Sequence, residues 1–319
     1  MPVPFYRTIK QIRRNGFAKT VSMLMVLLLR SLFEHVRYIP KSAIVEINGS
    51  KMFLLPRKAD INRDLFLYKK REPICSTYLI HSGMLKEGDV ALDIGANIGY
   101  YVLIESKLVG TKGKVYAVEP VLSTFKQMQK NVRLNNLKTV STFQFAFGAE
   151  HNEKSAIYVS GKSNLSSMSR DAVGATLDYA QEVVMETVDN FLKDKDPPNI
   201  VRMDVEGFEY EIIKGMSQIL KGNVKILVEL HPLPRYMAPG KMDEIFQILE
   251  QNNYAVRFAV FENKVEENRL IRFLLKKAGD SLPIINANVS IPEFKKMLAE
   301  NIQFASPNVV FEKQFVPVK

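Results

Sequence analysis

Val90-Ala91-Leu92-Asp93-Ile94-Gly95-Ala96-Asn97-Ile98-Gly99 is the stretch that decides the fold. A short apolar run suited to a buried strand meets an acidic residue near its end, and two glycines four apart then let the chain turn sharply and pass close to a ligand. Two further apolar runs end in acids, Val115 to Glu119 and Ile200 to Asp204. If all three are parallel strands, Asp93, Glu119 and Asp204 gather at one carboxyl edge, which is where open α/β sheets bind ligands.

The chain on either side supports alternation of strand and helix. Tyr100 to Leu108 predicts a helix stopped by Gly110 and Gly113; Val115 to Val118 a strand; Thr124 to Leu134 a helix ending near Asn135-Asn136; Val140 to Phe147 a third strand. Later come a strand at Asn199 to Met203, a helix from Glu209 to Leu220, a strand at Val224 to Leu230 and a helix from Met242 to Gln251. Tyr254 to Phe261, Leu270 to Leu275 and Val309 to Phe311 read as strands, and Ile291 to Leu298 as a helix. Upstream, Ser42 to Ile47 and Lys51 to Leu55 flank Asn48-Gly49, a strong hairpin signal, and Ile74 to Leu85 predicts a helix. Glu150 to Ala175 is long for a crossover, and its polar segment from Ser160 to Ser167 is a candidate cover for the sheet edge; Glu182 to Thr187 reads as extended and Val188 to Leu192 as the start of a helix.

Composition limits the classes available. With 319 residues and 46% apolar content the chain can build a large core, and its single cysteine, Cys75, permits neither an internal disulfide nor an all-cysteine metal cage. That favours a reducing compartment, and the expected location is cytoplasmic. The net charge of +10 is uneven: residues 1 to 80 hold fifteen Lys or Arg against five Asp or Glu, and the remainder hold 29 of each. Within this basic quarter, Phe17 to Phe33 carries an uninterrupted apolar run only from Met23 to Leu29, far below the roughly 20 residues that span a bilayer. No small-x-small cleavage site follows it. An amphipathic helix is expected there, lying in an anionic membrane interface or packed against the catalytic domain or a second copy. The expected organisation is therefore a basic extension over residues 1–80, with peripheral membrane contact through residues 1–41, and a catalytic domain over residues 81–319.

The loop chemistry can be narrowed. Gly-x-Gly-x-x-Gly would suit a pyrophosphate, but here the middle glycine is missing and a carboxylate precedes the first; a phosphate-binding Gly-x-x-x-x-Gly-Lys is also absent. A cationic cofactor without a pyrophosphate fits better, and S-adenosyl-L-methionine has that chemistry. Gly95 would approach its amino-acid portion, Asp93 would accept from its ammonium and Glu119 would bind ribose hydroxyls. Transfer to an alcohol needs a base, for which Asp204 is the first candidate; Glu206, Glu229 and His231 are the alternatives. The same four residues could surround a divalent cation, but no fixed zinc spacing is present and no metal ligand is assigned.

Asp93-Ile-Gly95-Ala-Asn97-Ile-Gly99-Tyr100, Val118-Glu119-Pro120, Asn131 with Asn135-Asn136, Arg202-Met-Asp204-Val-Glu206-Gly207-Phe-Glu209 and Val228-Glu229-Leu-His231 together resemble the FkbM family of S-adenosylmethionine-dependent methyltransferases. The resemblance runs from near Ser42 to near Phe311. It implies a class I methyltransferase Rossmann-like sheet of seven strands in order 3-2-1-4-5-7-6, and methylation of hydroxyl oxygens on sugars or other small molecules. On that pattern Asp93, Gly95, Asn97, Gly99, Tyr100, Glu119, Pro120 and Phe147 are the expected cofactor-binding positions.

Other activities would carry motifs of their own. An amino-methyltransferase needs Asp/Asn-Pro-Pro-aromatic after the fourth strand, whereas Asp196-Pro197-Pro198-Asn199 precedes it; cytosine chemistry needs Pro-Cys, whereas Cys75 follows Ile74. Base methylation is thus disfavoured and nucleic acid is not an expected partner. RNA ribose methylation is one alternative, and a noncatalytic membrane- or protein-binding module on the same scaffold is another. A nicotinamide dehydrogenase is a third, separable by cofactor binding.

Overall fold

The computed structural model describes residues 39–58, 60–161, 166–260, 284–285, 289–301 and 306–314. The expected helix at residues 17–33 and the expected strand at residues 270–275 lie outside the described residues.

The first described elements form a hairpin, β1 (Ala43–Ile47) and β2 (Ser50–Leu54), paired antiparallel. Asn48 and Gly49 both take left-handed φ, 50° and 69°, as a tight hairpin turn requires. Helices α1 (Ile61–Tyr68) and α2 (Pro73–His81) follow; α2 is shorter than expected, since Gly83 turns the chain with φ 70°. Next come β3 (Val90–Ile94), α3 (Tyr100–Val109), β4 (Lys114–Val118), α4 (Leu122–Leu134), β5 (Val140–Phe143) and β6 (Ala146–Phe147). After them lie β7 (Lys154–Ser160), β8 (Leu177–Glu186), β9 (Ile200–Met203), α5 (Glu209–Lys214), β10 (Lys225–Glu229) and α6 (Lys241–Gln251). The chain closes with β11 (Tyr254–Val260), β12 (Ile284–Ile285), α7 (Ile291–Asn301) and β13 (Asn308–Lys313).

The main sheet runs β12-β11-β13-β10-β9-β3-β4-β5. Seven of these strands reproduce the expected 3-2-1-4-5-7-6 order, with β13 antiparallel to β10 and β11, and the two-residue β12 adds an eighth strand at the edge. Every residue of β3 is buried, as expected for a central strand covered on both faces. Full burial of side chains such as Leu92 and Ile94 contributes about 1.5–3 kcal/mol each. One core holds Leu92, Ile94, Val201, Met203, Val228 and Phe246; the other joins Ala91, Ala117, Val102 and Leu227 to Ile47, Leu54, Leu65 and Leu79. The hairpin and first helices therefore share a core with the sheet.

Two further differences from the sequence reading have a visible structural cause. The strand expected over Val140 to Phe147 divides, because the backbone changes partner from β4 to β8 within a second, three-stranded sheet β6-β8-β7. Phe143, Phe145 and Phe147 all pack around Phe191, at centroid distances of 4.9, 5.5 and 5.3 Å, so apolar burial continues across the break. The helix expected over Glu209 to Leu220 ends at Lys214. A Cβ on Gly215 would lie 2.0 Å from the Gly148 carbonyl oxygen, and Asp189 takes the Gln218 and Ile219 amides at 2.8 and 3.1 Å, diverting the chain into a short 3₁₀ turn at Ile219–Lys221.

Candidate active site

The three acidic strand ends do meet at one edge, where Glu119 and Asp204 line a cleft that opens to solvent. Gly95, Asn97, Glu119, Pro120, Phe147, Asp204 and Glu206 line it, with Ser166, Ser167 and Met168 from the far side. That far side belongs to the stretch expected to cover the sheet edge, and the Ser167 hydroxyl donates to the Glu206 carbonyl at 2.7 Å.

On the β3–β4 side, backbone geometry fixes the carboxylate. The Asn97 amide donates to Glu119 Oε2 and the Val121 amide to Oε1, both at 2.9 Å. Asn97 sits in the left-handed region, φ 51°, a conformation asparagine tolerates well. Burial pushes the Glu119 carboxyl up to about 7 despite these two donors. Gly95 is required by the protein itself: with φ 75°, its missing Cβ would lie 2.0 Å from the Asp204 carbonyl oxygen, so loop and β9 end pack backbone to backbone. Gly99 starts α3 close to α4, where a Cβ would meet Met128 Cγ at 3.2 Å.

Asp93, expected to meet an ammonium, lies beneath the cleft wall with 0% exposure. Its Oδ1 takes the Arg202 guanidinium at 2.9 Å, and Arg202 also reaches Asp204 Oδ2 at 3.3 Å while lying 3.9 Å over the Tyr101 ring. Asp93 Oδ2 and both oxygens of Glu105 are buried without a hydrogen-bond partner among the described residues. Burial raises both carboxyls, Glu105 well above the usual range, and the Arg202 guanidinium pulls against that rise at Asp93 through both charge and a hydrogen bond. Tyr100 is likewise outside the cleft wall; its hydroxyl accepts from Asn48 Nδ2 at 3.2 Å and from the Arg71 amide at 3.3 Å, tying the hairpin to α3.

On the β9–β10 side, side chains hold one another. Asp204 Oδ2 is 3.6 Å from Arg71, which pairs with Glu72 at 2.7 Å, and Glu72 accepts from the Tyr101 hydroxyl at 2.8 Å. His231 is 2% exposed and lies outside the cleft wall, its Nδ1 2.6 Å from Glu209 and its Nε2 3.4 Å from Glu206 and 3.9 Å from Glu229. Burial alone would lower its pKa; the three carboxylates outweigh burial and hold it well above the ordinary value, so the ring is imidazolium at neutral pH. Glu229 is also raised well above its usual range, by burial and by Asp204 and Glu72. Glu206 has φ 49° and is followed by Gly207 at φ 102°, a bend that packs against the Tyr236 carbonyl.

Arg71, Glu72, Tyr101 and Glu105 were absent from the sequence-level site. Glu105 and Arg202 carry a usable signal, a charge inside an otherwise apolar buried run. Arg71 and Glu72 sit in a generally polar stretch that carries none.

The donor set can be tested against the implied cofactor. Among the described residues, the cleft wall carries three carboxylate side chains, Glu119, Asp204 and Glu206, and no lysine or arginine. That suits a sulfonium and an ammonium and would repel a pyrophosphate. Val118, Pro120, Phe145 and Phe147 supply an apolar wall for a flat ring. Two groups, Asp204–Glu206–His231 and Glu72–Asp204–Glu229, bring their oxygen and nitrogen atoms within 4.8 Å of one another. Arg71, Arg202 and the imidazolium of His231 already neutralise these carboxylates.

Sheet order and acid-ended strands are those of the class I, Rossmann-like methyltransferase fold. Residues 93–256 match the methyltransferase FkbM domain, 164 of 319 residues, and the chain belongs to that family. It is 30% identical over 150 residues to the hexuronic acid methyltransferase AglP of Haloferax volcanii, an alignment covering 46% of this chain and 57% of that protein. Among solved structures, a methyltransferase FkbM from Methylobacillus flagellatus KT aligns at 16% identity and TM-score 0.40, covering 60% of this chain and 45% of that one. A SAM-dependent O-methyltransferase from Thermotoga maritima aligns at 15% identity and TM-score 0.41, covering 87% and 79%. Among the described residues, no helix is long and apolar enough to cross a membrane.

Proposed function

We propose that this chain transfers a methyl group from S-adenosyl-L-methionine to a hydroxyl oxygen of a sugar, glycan, lipid headgroup or other small molecule. The observation that carries the reading is the convergence of Glu119, held by two backbone amides, with Asp204 and Glu206 in one cleft. The likeness to a hexuronic acid methyltransferase supports a sugar acceptor.

In this reading Glu119 holds the ribose, Gly95 and Asn97 form the floor of the cofactor site, and Pro120 and Phe147 flank its ring. When bound, S-adenosyl-L-methionine supplies a methyl group made electrophilic by its sulfonium. Asp204 takes the proton of the acceptor hydroxyl or orients it, with Arg71 and Arg202 fixing its carboxylate. Glu206 lines up the acceptor from beyond the β9 end, Glu229 acts from behind the wall at the β10 end, and His231 serves as the cation that positions them. Asp93, Gly99 and Tyr100 act from behind the wall by holding Arg202, α4 and the hairpin in place. Alignment and exclusion of water are the main tasks of such a site.

Calorimetry with S-adenosylmethionine tests the cofactor assignment, and folded protein that fails to bind would sink the reading. Labelled cofactor incubated with fractionated cellular extract would then reveal the acceptor. We further assign residues 1–80 as a basic extension to the catalytic domain at 81–319 in a cytoplasmic protein. Contact of residues 1–41 with anionic membrane, or with a second copy, is part of that assignment. Co-sedimentation of the full chain and of a chain starting at residue 41 with anionic liposomes checks it; equal failure of both to bind removes the membrane contact.

A further inference from the structure

A second concavity lies between β2, α1 and the start of α4, on a different wall from the methyl-transfer cleft. Its lining includes Lys58, Lys126 and Lys130 together with Asn62, Thr124 and Gln127. The three lysines are exposed, yet none forms an ion pair among the described residues, and no acidic side chain joins the lining. Lys130 is held by the Phe53 ring, its Nζ 3.2 Å from the centroid, which leaves its ammonium charge uncompensated.

The floor is polar and built. Asn62 is 1% exposed, accepts the Leu55 amide at 3.0 Å and donates to Asp60 at 3.0 Å; Gln127 is 9% exposed and donates to the Phe53 carbonyl at 3.0 Å. Thr124 is 5% exposed, and its hydroxyl, at the cleft, has no hydrogen-bond partner among the described residues. Three like charges around one concavity repel one another, and an anion between them reverses the sign of that energy. A phosphoryl group matches three ammonium donors and a hydroxyl better than a carboxylate does, since it offers more acceptor oxygens and up to two charges.

The neighbourhood adds to the field. The described chain begins beside this cleft, with Arg57 Nε donating to the Ile39 carbonyl at 3.4 Å next to Lys58. Residues 1–38 carry seven Lys or Arg and one Glu in sequence, a net charge of +6.

We propose that the Lys58–Lys126–Lys130 cleft is a phosphoryl-binding site, separate from the methyl-transfer cleft. The phosphoryl group has two sources, a soluble phosphorylated molecule or the headgroup of an anionic phospholipid surface. The inference does not depend on the methyl-transfer reading.

The full chain and its Lys58→Glu/Lys126→Glu/Lys130→Glu variant would be compared with two probes. One is inorganic pyrophosphate by calorimetry; the other is phosphatidylcholine vesicles containing phosphatidylglycerol, by co-sedimentation. The expected result is binding of at least one probe by the parent, weakened about tenfold or more in the variant and reduced by added salt. Loss in the pyrophosphate arm alone identifies a soluble ligand, and loss in the vesicle arm alone identifies a lipid surface. Equal binding by parent and variant, or no binding of either probe by the parent, overturns the proposal. S-adenosylmethionine binding, measured on the same samples, reports folding and should be equal in both. A Lys58→Gln/Lys126→Gln/Lys130→Gln variant, without reversed charge, replaces the first should that one fail to fold, under the same criteria.

Discussion

The two sides of the candidate cleft hold their carboxylates by different means. On the β3–β4 side Glu119 is fixed by the amides of Asn97 and Val121, groups that the turn itself delivers. On the β9–β10 side Asp204 is fixed by Arg71 and Arg202, and Glu206 by His231, all long side chains drawn from separate elements. Backbone amides survive every substitution except proline and need no second side chain to hold them in place. A side-chain network can lose one member and leave the others charged and buried. The first side should therefore tolerate neighbouring substitutions, and the second should fail through its supports as readily as through the residue that meets the acceptor.

The largest expected effect tests the acceptor side directly. Asp204→Asn keeps the shape but cannot take a proton, and turnover should fall about 100- to 10,000-fold, the range for a lost general base. Cofactor affinity should stay within about threefold, since the effect belongs to the chemical step. Steady-state kinetics beside calorimetry separates the two, and unchanged turnover would remove Asp204 from its assigned role. Next in size is Arg202→Met, which leaves Asp93 buried and unpaired. Its cost should be about 3–5 kcal/mol, read as a shift in denaturant midpoint without a change of slope. A loss under about 1 kcal/mol would mean that the pair contributes no more than an exposed one does.

Glu119→Gln probes the other side. The amide can still accept one backbone hydrogen bond, so folding should be retained, while a charge-assisted bond worth about 1.5–3 kcal/mol is lost. Cofactor affinity should drop roughly 10- to 150-fold with little change in turnover at saturation. An equal loss in Asp204→Asn would erase the contrast between the two sides.

These two sides also differ in what the sequence disclosed. Asp93, Gly95, Glu119 and Asp204 stand at strand ends next to turns, and the alternation of strand and helix fixes which edge they share. The gathering of acids was legible for that reason, whereas the sheet order followed from the resemblance to the FkbM family and not from the pattern itself. Arg71 and Glu72 were not, because their positions depend on how the segment between α1 and α2 packs on α3, a tertiary matter with no local period. Gly95 shows a subtler gap: its need was visible, but the group it makes room for is the Asp204 carbonyl, 2.0 Å from where a Cβ would sit. His231 was attractive as a base on its ordinary pKa, and only its three carboxylate neighbours reveal a standing cation.

A smaller effect is expected from pH, and its sign follows from Glu119. Burial pushes the folded carboxyl up to about 7 from an ordinary value of 4.5, so the folded state holds the proton more tightly in between. Its contribution to stability is full below about 4.5 and is lost as pH rises through about 7. Cofactor affinity should move the opposite way, rising from pH 6 to pH 8 as the carboxylate forms. His231 adds a second loss at higher pH: its raised pKa stabilises the fold below the ordinary value, and that stabilisation disappears as pH rises through the folded value. Thermal melts and calorimetry across pH 5 to 9 would show both, and Glu119→Gln should flatten only the lower step.

The smallest expected effect is that of a chelator. Asp204, Glu206, Glu229, Glu72 and His231 lie close enough for two overlapping divalent-cation sites, all ligand atoms of each group being within 4.8 Å. Yet the network already carries its cations. Asp204 faces two guanidinium groups and Glu206 faces an imidazolium, so an incoming ion must compete with fixed charges that need no capture from solution. It must also deprotonate His231, whose pKa those same carboxylates raise. Turnover should accordingly change less than about twofold on adding EDTA or magnesium, well inside what one weak surface interaction is worth. A tenfold loss with EDTA, restored by magnesium, would instead assign the acceptor side to a metal and make Arg71 and Arg202 its outer supports.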